Sequence, residues 1–292
     1  GKLGLSPSKV LSKEEVVEAI PTVETDQLTG GVRYHDGQFD DSRLAVNLAQ
    51  TAVECGACVA NYMRCVGLMK EGPYVRGILA KDHESGKEYE IRGKSVINAT
   101  GIFVDDLRKE DDKSARDIIA VSQGIHLVLP KSFLPGKSAI MVPKTADGRV
   151  LFGVPWHDHV VFGTTDTPLD RKDIEPRALK EERDFVMEHA AKYLAKDPES
   201  SDVRSIFAGL RPLVKAGDGS NTAALSRDHT ILISDSGLIT VTGGKWTTYR
   251  KMGEDVIDQA EMLSGVENKD CVTKTLQIRG WTKASIPEPN LA

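Results

Sequence analysis

The chain has 292 residues, of which 40% are hydrophobic and 28% charged, and its formal net charge at pH 7 is −5. This length is enough for one large or two ordinary domains, and the composition is ordinary for a globular protein. The negative net charge and the lack of a long basic run argue against nucleic-acid binding. No apolar stretch reaches the length of a membrane span, which leaves contact with a membrane surface open.

The first hundred residues predict helices and strands of an α/β unit. A helix is expected over residues 12–19, since Ser12 and Glu15 have the spacing of a capping box. A second helix opens at Asp41 or Ser42 and closes at Gly56. Residues 58–69 follow as a strand.

The next segment alternates in polarity and predicts a β-hairpin, with strands over 74–81 and 88–91. A short apolar run over 96–101 then ends in small residues. Together these elements indicate the later half of a dinucleotide-binding unit, in which ligands lie beyond the carboxyl ends of parallel strands. Residues 105–118 are expected to be a loop with some helix.

From residue 125 the pattern changes to short strands at hairpin spacing, which predicts an antiparallel sheet. Residues 175–195 have helical periodicity, and a final helix starts near Trp246. The predicted strands cover residues 125–129, 139–143, 150–154, 160–164, 203–207, 230–233 and 238–242. The chain is therefore expected to form two intertwined parts.

The four cysteines show no pattern of secreted disulfides. Cys55 and Cys58 form a single C-x-x-C without a second pair or a nearby histidine, so we interpret them as small apolar residues where a helix passes into a strand. No metal is expected, and the thiols suggest a reducing compartment.

The most informative run is 243–250, with two glycines, a lysine and two hydroxyls between a strand and a helix. A helix N-terminus offers unpaired N–H groups and partial positive charge, which suit an anionic or electron-rich ligand. The glycines let the backbone approach a flat ring closely.

Further polar groups follow predicted strands, and each also has a purely structural interpretation. His126 could be a core histidine, Thr165 and Asp166 an Asx-type turn, and Arg227 a surface ion pair. Arg211 is expected on a rigid turn after an apolar strand. Arg211, Arg227 and Lys245 would together suit a phosphate dianion.

In chain order the informative segments are 30–44, 97–101, 122–126, 154–156, 162–167, 209–213, 226–229 and 243–250. They resemble those of FAD-dependent glycerol-3-phosphate dehydrogenases, and the match covers nearly the whole chain. The resemblance implies a mixed α+β and α/β fold. A partial FAD-binding Rossmann-like unit is joined to an antiparallel-sheet substrate (cap) domain of the D-amino-acid-oxidase and glycine-oxidase type.

The domain boundaries expected from this resemblance divide the chain into four parts. Residues 1–120 would be a remnant of the FAD-binding domain, and 121–235 the substrate-binding cap. Residues 236–265 would return to the FAD-binding domain, and 266–292 would begin a C-terminal region.

The function implied is oxidation of sn-glycerol 3-phosphate to dihydroxyacetone phosphate, with hydride transfer to FAD N5 and electrons passed to quinone or oxygen. Arg211, Arg227 and Lys245 would bind the substrate. His126 is the candidate base because a neutral imidazole titrates near working pH, while Arg211 suits stabilisation of the alkoxide. Lys245 is the third catalytic candidate, since it would lie with Arg211 around the developing carbonyl. The implied cofactor-binding residues are Cys65, Val66, Ala99, Thr100, Gly101, Gly209, Gly244, Lys245, Trp246 and Thr247.

One departure from the family pattern is the absence of its opening G-x-G-x-x-G turn. We therefore expect a middle fragment that alone binds FAD poorly and is inactive. The expected location is cytoplasmic or peripheral on the inner face of the cytoplasmic membrane, and a homo-oligomer is allowed. The alternatives are an amine or 2-hydroxy-acid oxidoreductase of the same fold, and a non-catalytic module.

Overall fold

The computed structural model describes residues 6–142, 145, 150–215 and 228–281, and these form two units. Unit 1 comprises Gly1–Asp36, Gly101–Phe103 and Asp117–Arg227; unit 2 comprises Gly37–Thr100, Val104–Arg116 and Asp228–Ala292. The helices are α1 Lys13–Ala19, α2 Asp41–Glu54, α3 Val104–Asp111, α4 Lys180–Ala191 and α5 Tyr249–Ser264. The strands are β1 Lys9–Ser12, β2 Gly30–Arg33, β3 Met63–Glu71, β4 Tyr74–Asp82, β5 Glu88–Arg92, β6 Val96–Asn98, β7 Ile119–Pro130, β8 Ile140–Val142, β9 Leu151–Trp156, β10 His159–Gly163, β11 Thr167–Leu169, β12 Ser205–Val214, β13 His229–Ile233 and β14 Leu238–Gly243.

Unit 1 is built on an antiparallel sheet with the long strand β7 at its centre. The strand order is β11-β7-β10-β9-β8, and β12 pairs with the other side of β7 along ten residues. Ile125, Leu127 and Leu129 alternate along β7 and are fully buried, and they share a core with Val186 and Ala190 of α4. Because side chains alternate across a strand, the residues between them lie on the opposite face.

The amino-terminal residues belong to unit 1. Ser12 caps α1 in a capping box with Glu15, which confirms the predicted helix start. Leu11, Val16 and Val23 are buried in the same core as β7. The sequence placed this segment in the remnant of the FAD-binding domain, whereas in the structure its apolar side chains pack on the antiparallel sheet. The expected boundary at residue 120 lies close to Asp117, where unit 1 resumes.

Unit 2 contains two three-stranded sheets. In the first, β6 pairs in parallel with β14, which pairs antiparallel with β13. Ile239 and Val241 of β14 pack against Val256 and Ala260 of α5. The second sheet is the meander β3-β4-β5, whose last two strands form the predicted hairpin.

Several expectations are corrected by the structure. The strand predicted to begin at residue 58 begins at Met63, and Cys55 and Cys58 are exposed thiols, so they do not fill apolar space. Arg211 was expected on a turn, but it lies inside β12. The strand accommodates Pro212, and its ladder with β7 continues to Val214. None of the helices in the described ranges is long and apolar enough to cross a membrane.

Candidate functional site

The face of the unit 1 sheet opposite the core brings two predicted site residues together. In the β7–β12 ladder Ser122 lies opposite Arg211, Gly124 opposite Gly209, and His126 opposite Phe207. Directly opposed residues of an antiparallel pair point to the same side of the sheet. His126 and Arg211 therefore share one face, with the two glycines between them.

Arg211 is held in place by the segment that follows β10. Its Nη1 donates to the Thr165 carbonyl at 3.0 Å and lies 3.7 Å from Asp166 Oδ1, while Nη2 donates to Thr164 Oγ1 at 2.7 Å. A Cβ added at Gly124 would lie 2.6 Å from Arg211 Cζ, so this glycine provides the space for the guanidinium. The Arg211 side chain is 30% exposed.

His126 lies on the same face, between Phe207 and Gly163. Its ring stacks on Phe207 with centroids 5.0 Å apart, and a Cβ at Gly163 would lie 2.7 Å from the His126 Cγ. Burial, and after it the nearby Arg211 guanidinium, lowers the pKa of His126 to about 4. The imidazole is therefore neutral at pH 7 and has a ring nitrogen able to accept a proton, but the expectation that it titrates near working pH is not met, because burial disfavours its charged form.

A buried polar network supports the segment that holds Arg211. Thr165 Oγ1 accepts from the Ile125 amide at 3.0 Å and donates to Glu182 Oε1 at 3.1 Å. Gln123 Nε2 also donates to Glu182, at 2.7 Å. Sequence reasoning missed Glu182 and Phe207, because a glutamate in the first turn of a helix and a phenylalanine in a strand are ordinary features of both elements.

The glycine turn of unit 2 has the backbone that the sequence suggested. Gly243 and Gly244 have φ values of 77° and 74°, which favour glycine, and a Cβ at Gly244 would lie 2.5 Å from Met252 Sδ. The exposed Lys245 precedes a 3₁₀ turn, Trp246–Thr248, that leads directly into α5. Its amide donates to Thr248 Oγ1 at 3.1 Å.

A second turn follows the neighbouring parallel strand of unit 2. Asn98 is fully buried at the end of β6; its Nδ2 donates to the Val104 carbonyl at 2.9 Å, and its Oδ1 accepts from Thr100 Oγ1 at 2.7 Å. Ala99 and Thr100 are exposed. Since β6 and β14 are parallel, both turns follow the carboxyl ends of adjacent strands, where α/β units bind nucleotide ligands.

The other residues predicted to bind the cofactor or substrate lie at several different positions in the fold. Gly101 directly follows Thr100, has φ +59° and is grouped with unit 1. Cys65 and Val66 lie at a bulge of β3 in unit 2, where Val66 is 42% exposed. Thr247 is exposed within the 3₁₀ turn. Arg227 lies outside the described residues, and these residues contain no group of three or more side chains able to hold a metal ion.

The chain is similar in sequence to known enzymes. The chain is 42% identical over 268 residues to the mitochondrial glycerol-3-phosphate dehydrogenase of Mus musculus and 40% identical over 283 residues to a probable glycerol-3-phosphate dehydrogenase of Encephalitozoon cuniculi. The alignments cover 89% and 96% of this chain but 37% and 46% of those relatives. The chain therefore spans less than half their length.

Among solved structures, the glycerol-3-phosphate dehydrogenase of Bacillus halodurans in complex with FAD superposes with a TM-score of 0.81 at 33% identity, covering 92% of this chain and 52% of that one. Glycine oxidase of Geobacillus kaustophilus superposes with a TM-score of 0.64 at 17% identity, covering 92% of this chain and 66% of that one, which shows a shared fold. The expected oxidase-type architecture is thereby confirmed. Residues 1–250 match the family described as FAD dependent oxidoreductase, and the chain belongs to that family.

Proposed function

We propose that the whole protein oxidises sn-glycerol 3-phosphate to dihydroxyacetone phosphate with FAD. The observation that carries the proposal is the shared sheet face on which a neutral imidazole and an oriented guanidinium flank two glycines. The relatives named glycerol-3-phosphate dehydrogenase support the choice of substrate.

The residues of unit 2 fit a flavin dinucleotide on the geometry of their turns. Gly244 has a backbone conformation and surroundings that admit no Cβ, and Asn98 fixes an exposed turn beside it at the edge of the parallel strands. The residues expected along the ring system are Gly244, Lys245, Trp246 and Thr247. Those expected near the pyrophosphate are Ala99, Thr100 and Gly101. When bound, FAD supplies the acceptor for the two electrons and the hydrogen removed from the substrate carbon.

The residues of unit 1 would bind and deprotonate the substrate. Arg211, which is always charged, would bind an anionic oxygen and stabilise the negative charge that develops on the substrate hydroxyl oxygen. His126 would accept the hydroxyl proton at a ring nitrogen. The pKa of His126 is low without substrate, and an anionic substrate nearby would raise it and make the ring a stronger base.

Of the two glycines between these side chains, Gly124 is covered by the guanidinium, and Gly209 would leave the floor of the site open. Nothing lies within 4 Å of a Cβ built at Gly209, so its backbone faces open space that a substrate or ring could occupy. Lys245 and Arg227 would add positive charge for a phosphate dianion. Quinone or oxygen would then take the electrons, at the inner face of the cytoplasmic membrane if the acceptor is quinone.

Substrate profiling of the whole protein tests the proposal. We expect oxidation of glycerol 3-phosphate and little turnover of glycine, sarcosine or small 2-hydroxy acids. Arg211→Met should lower kcat/KM for glycerol 3-phosphate by about a hundredfold, because one charged hydrogen-bond donor to a developing oxyanion contributes about 10²-fold or more. Turnover of glycine or sarcosine, with none of glycerol 3-phosphate, would refute the substrate assignment.

A further inference from the structure

Glu182 has an unusual environment for a carboxylate outside the reacting surface. It lies in the first turn of α4 and is only 3% exposed. Three donors face it: Gln123 Nε2 at 2.7 Å, the Leu179 amide at 2.9 Å and Thr165 Oγ1 at 3.1 Å. Among the described residues, no cationic side chain forms an ion pair with it. Burial of a carboxylate without a cation is costly, so its hydrogen bonds are the compensation the fold provides.

The hydrogen bond to Thr165 connects Glu182 with Arg211. Thr165 is 3% exposed, and its hydroxyl is fixed from two sides, by the Ile125 amide of β7 and by Glu182 of α4. The carbonyl of the same residue accepts from Arg211 Nη1. The adjacent Thr164 hydroxyl and the Asp166 carboxylate contact the same guanidinium.

We propose that Glu182 is a positioning residue, which acts through Thr165 to hold the Arg211 guanidinium in the orientation that the reaction needs. The proposal rests on the proposed function for the identity of the substrate and for the role of Arg211. Glu182 itself lies on the core side of the sheet with Gln123, since Gln123 and Arg211 occupy adjacent register positions that point to opposite faces.

The substitution Glu182→Gln tests the link with little change in volume. The amide oxygen can still accept from Gln123 and Leu179, while the amide nitrogen replaces the oxygen that accepts from Thr165. The Thr165 hydroxyl proton then loses its acceptor. Thr165→Val removes the same hydrogen bond without altering the first turn of α4, and it also removes the acceptor of the Ile125 amide. Thr165→Ser keeps both hydrogen bonds. Glu181→Gln is the matched control, because Glu181 lies in the same turn and is exposed.

The measurement is kcat/KM in the whole protein loaded with FAD, in the wild-type background and in Arg211→Met. We expect Glu182→Gln and Thr165→Val each to lose about tenfold in the wild-type background, since small misplacements of oriented groups have effects of this size. Thr165→Ser and Glu181→Gln should stay near wild type. In the Arg211→Met background the loss should nearly vanish, because the guanidinium that Glu182 positions is gone.

Equal losses in both backgrounds would overturn the proposal, since Glu182 would then act on folding or on another group. Activity of Glu182→Gln equal to that of Glu181→Gln would overturn it as well. If the wild-type protein does not oxidise glycerol 3-phosphate, the proposed function fails, and the same cycle run with the substrate found by profiling still decides the role of Glu182.

Discussion

The space that Gly124 leaves for Arg211 predicts a large loss of activity on a small substitution. In Gly124→Ala the new Cβ would lie 2.6 Å from Arg211 Cζ. Carbon atoms in ordinary contact are about 3.6 Å apart, so the guanidinium must move by roughly 1 Å. That displacement would weaken its bonds to the Thr165 carbonyl and to Thr164 Oγ1, now 3.0 and 2.7 Å long.

The expected loss in kcat/KM for glycerol 3-phosphate is about a hundredfold, the effect that a 1 Å misplacement can have, or about 2.7 kcal/mol in the activation barrier. Folding should suffer little, because the clash is with the far end of a flexible side chain. The assay is steady-state kinetics of the whole protein, with thermal denaturation of the same samples.

Gly209→Ala is the control for folding, because it adds the same methyl group to the cross-strand partner in open space. If Gly124→Ala keeps wild-type kcat/KM with full FAD content, the orientation of Arg211 is not important for the reaction. Gly124 would then not serve to orient the guanidinium for catalysis.

Three further predictions concern stability and cofactor binding. Lowering the pH from 7 to 4 should reduce the free energy of unfolding more in wild type than in His126→Gln, by at most about 3 kcal/mol. The reason is that His126 binds a proton below pH 6.5 in the unfolded chain but only below about pH 4 in the folded one. Identical pH dependence of the two proteins in urea denaturation would contradict this. Gly244→Ala should lower the melting temperature, since φ is +74° and the new Cβ would lie 2.5 Å from Met252 Sδ. Gly253→Ala, in the open part of α5, should raise it slightly. Equal melting temperatures of the two variants would be evidence against a strained turn at Gly244. Asn98→Ala should cost about 2 kcal/mol and weaken FAD binding by the whole protein, because the buried Val104 carbonyl loses its donor; fluorescence titration with FAD measures this, and unchanged affinity would oppose a role for the Ala99–Thr100 turn.

Local patterns were enough to predict much of the fold. The capping box of α1, the β4–β5 hairpin and the strand–glycine–helix order at residues 238–264 depend on neighbours in sequence, and each is confirmed. The packing of residues 11–23 on the antiparallel sheet could not be predicted in this way. It depends on contacts of Leu11, Val16 and Val23 with a core that is distant in sequence.

The candidate site, too, could be predicted only in part. His126, Arg211 and the glycine turn were chosen by residue type and by resemblance, and sequence alone placed Arg211 on a turn instead of inside β12. The ladder between β7 and β12 sets which side chains share a face, and this register is a property of pairing between distant strands. For the same reason, nothing in the sequence distinguishes the buried Glu182 from the exposed Glu181.

One measurement tests most directly whether the sheet face with His126 and Arg211 acts on a phosphorylated alcohol. The whole protein, loaded with FAD, is mixed anaerobically with glycerol 3-phosphate, and the flavin absorbance is followed. We expect the flavin band to bleach with glycerol 3-phosphate and not with glycine or sarcosine, and we expect Arg211→Met to slow bleaching by about a hundredfold. Bleaching by the amines alone, or at the same rate without the guanidinium, would contradict this expectation.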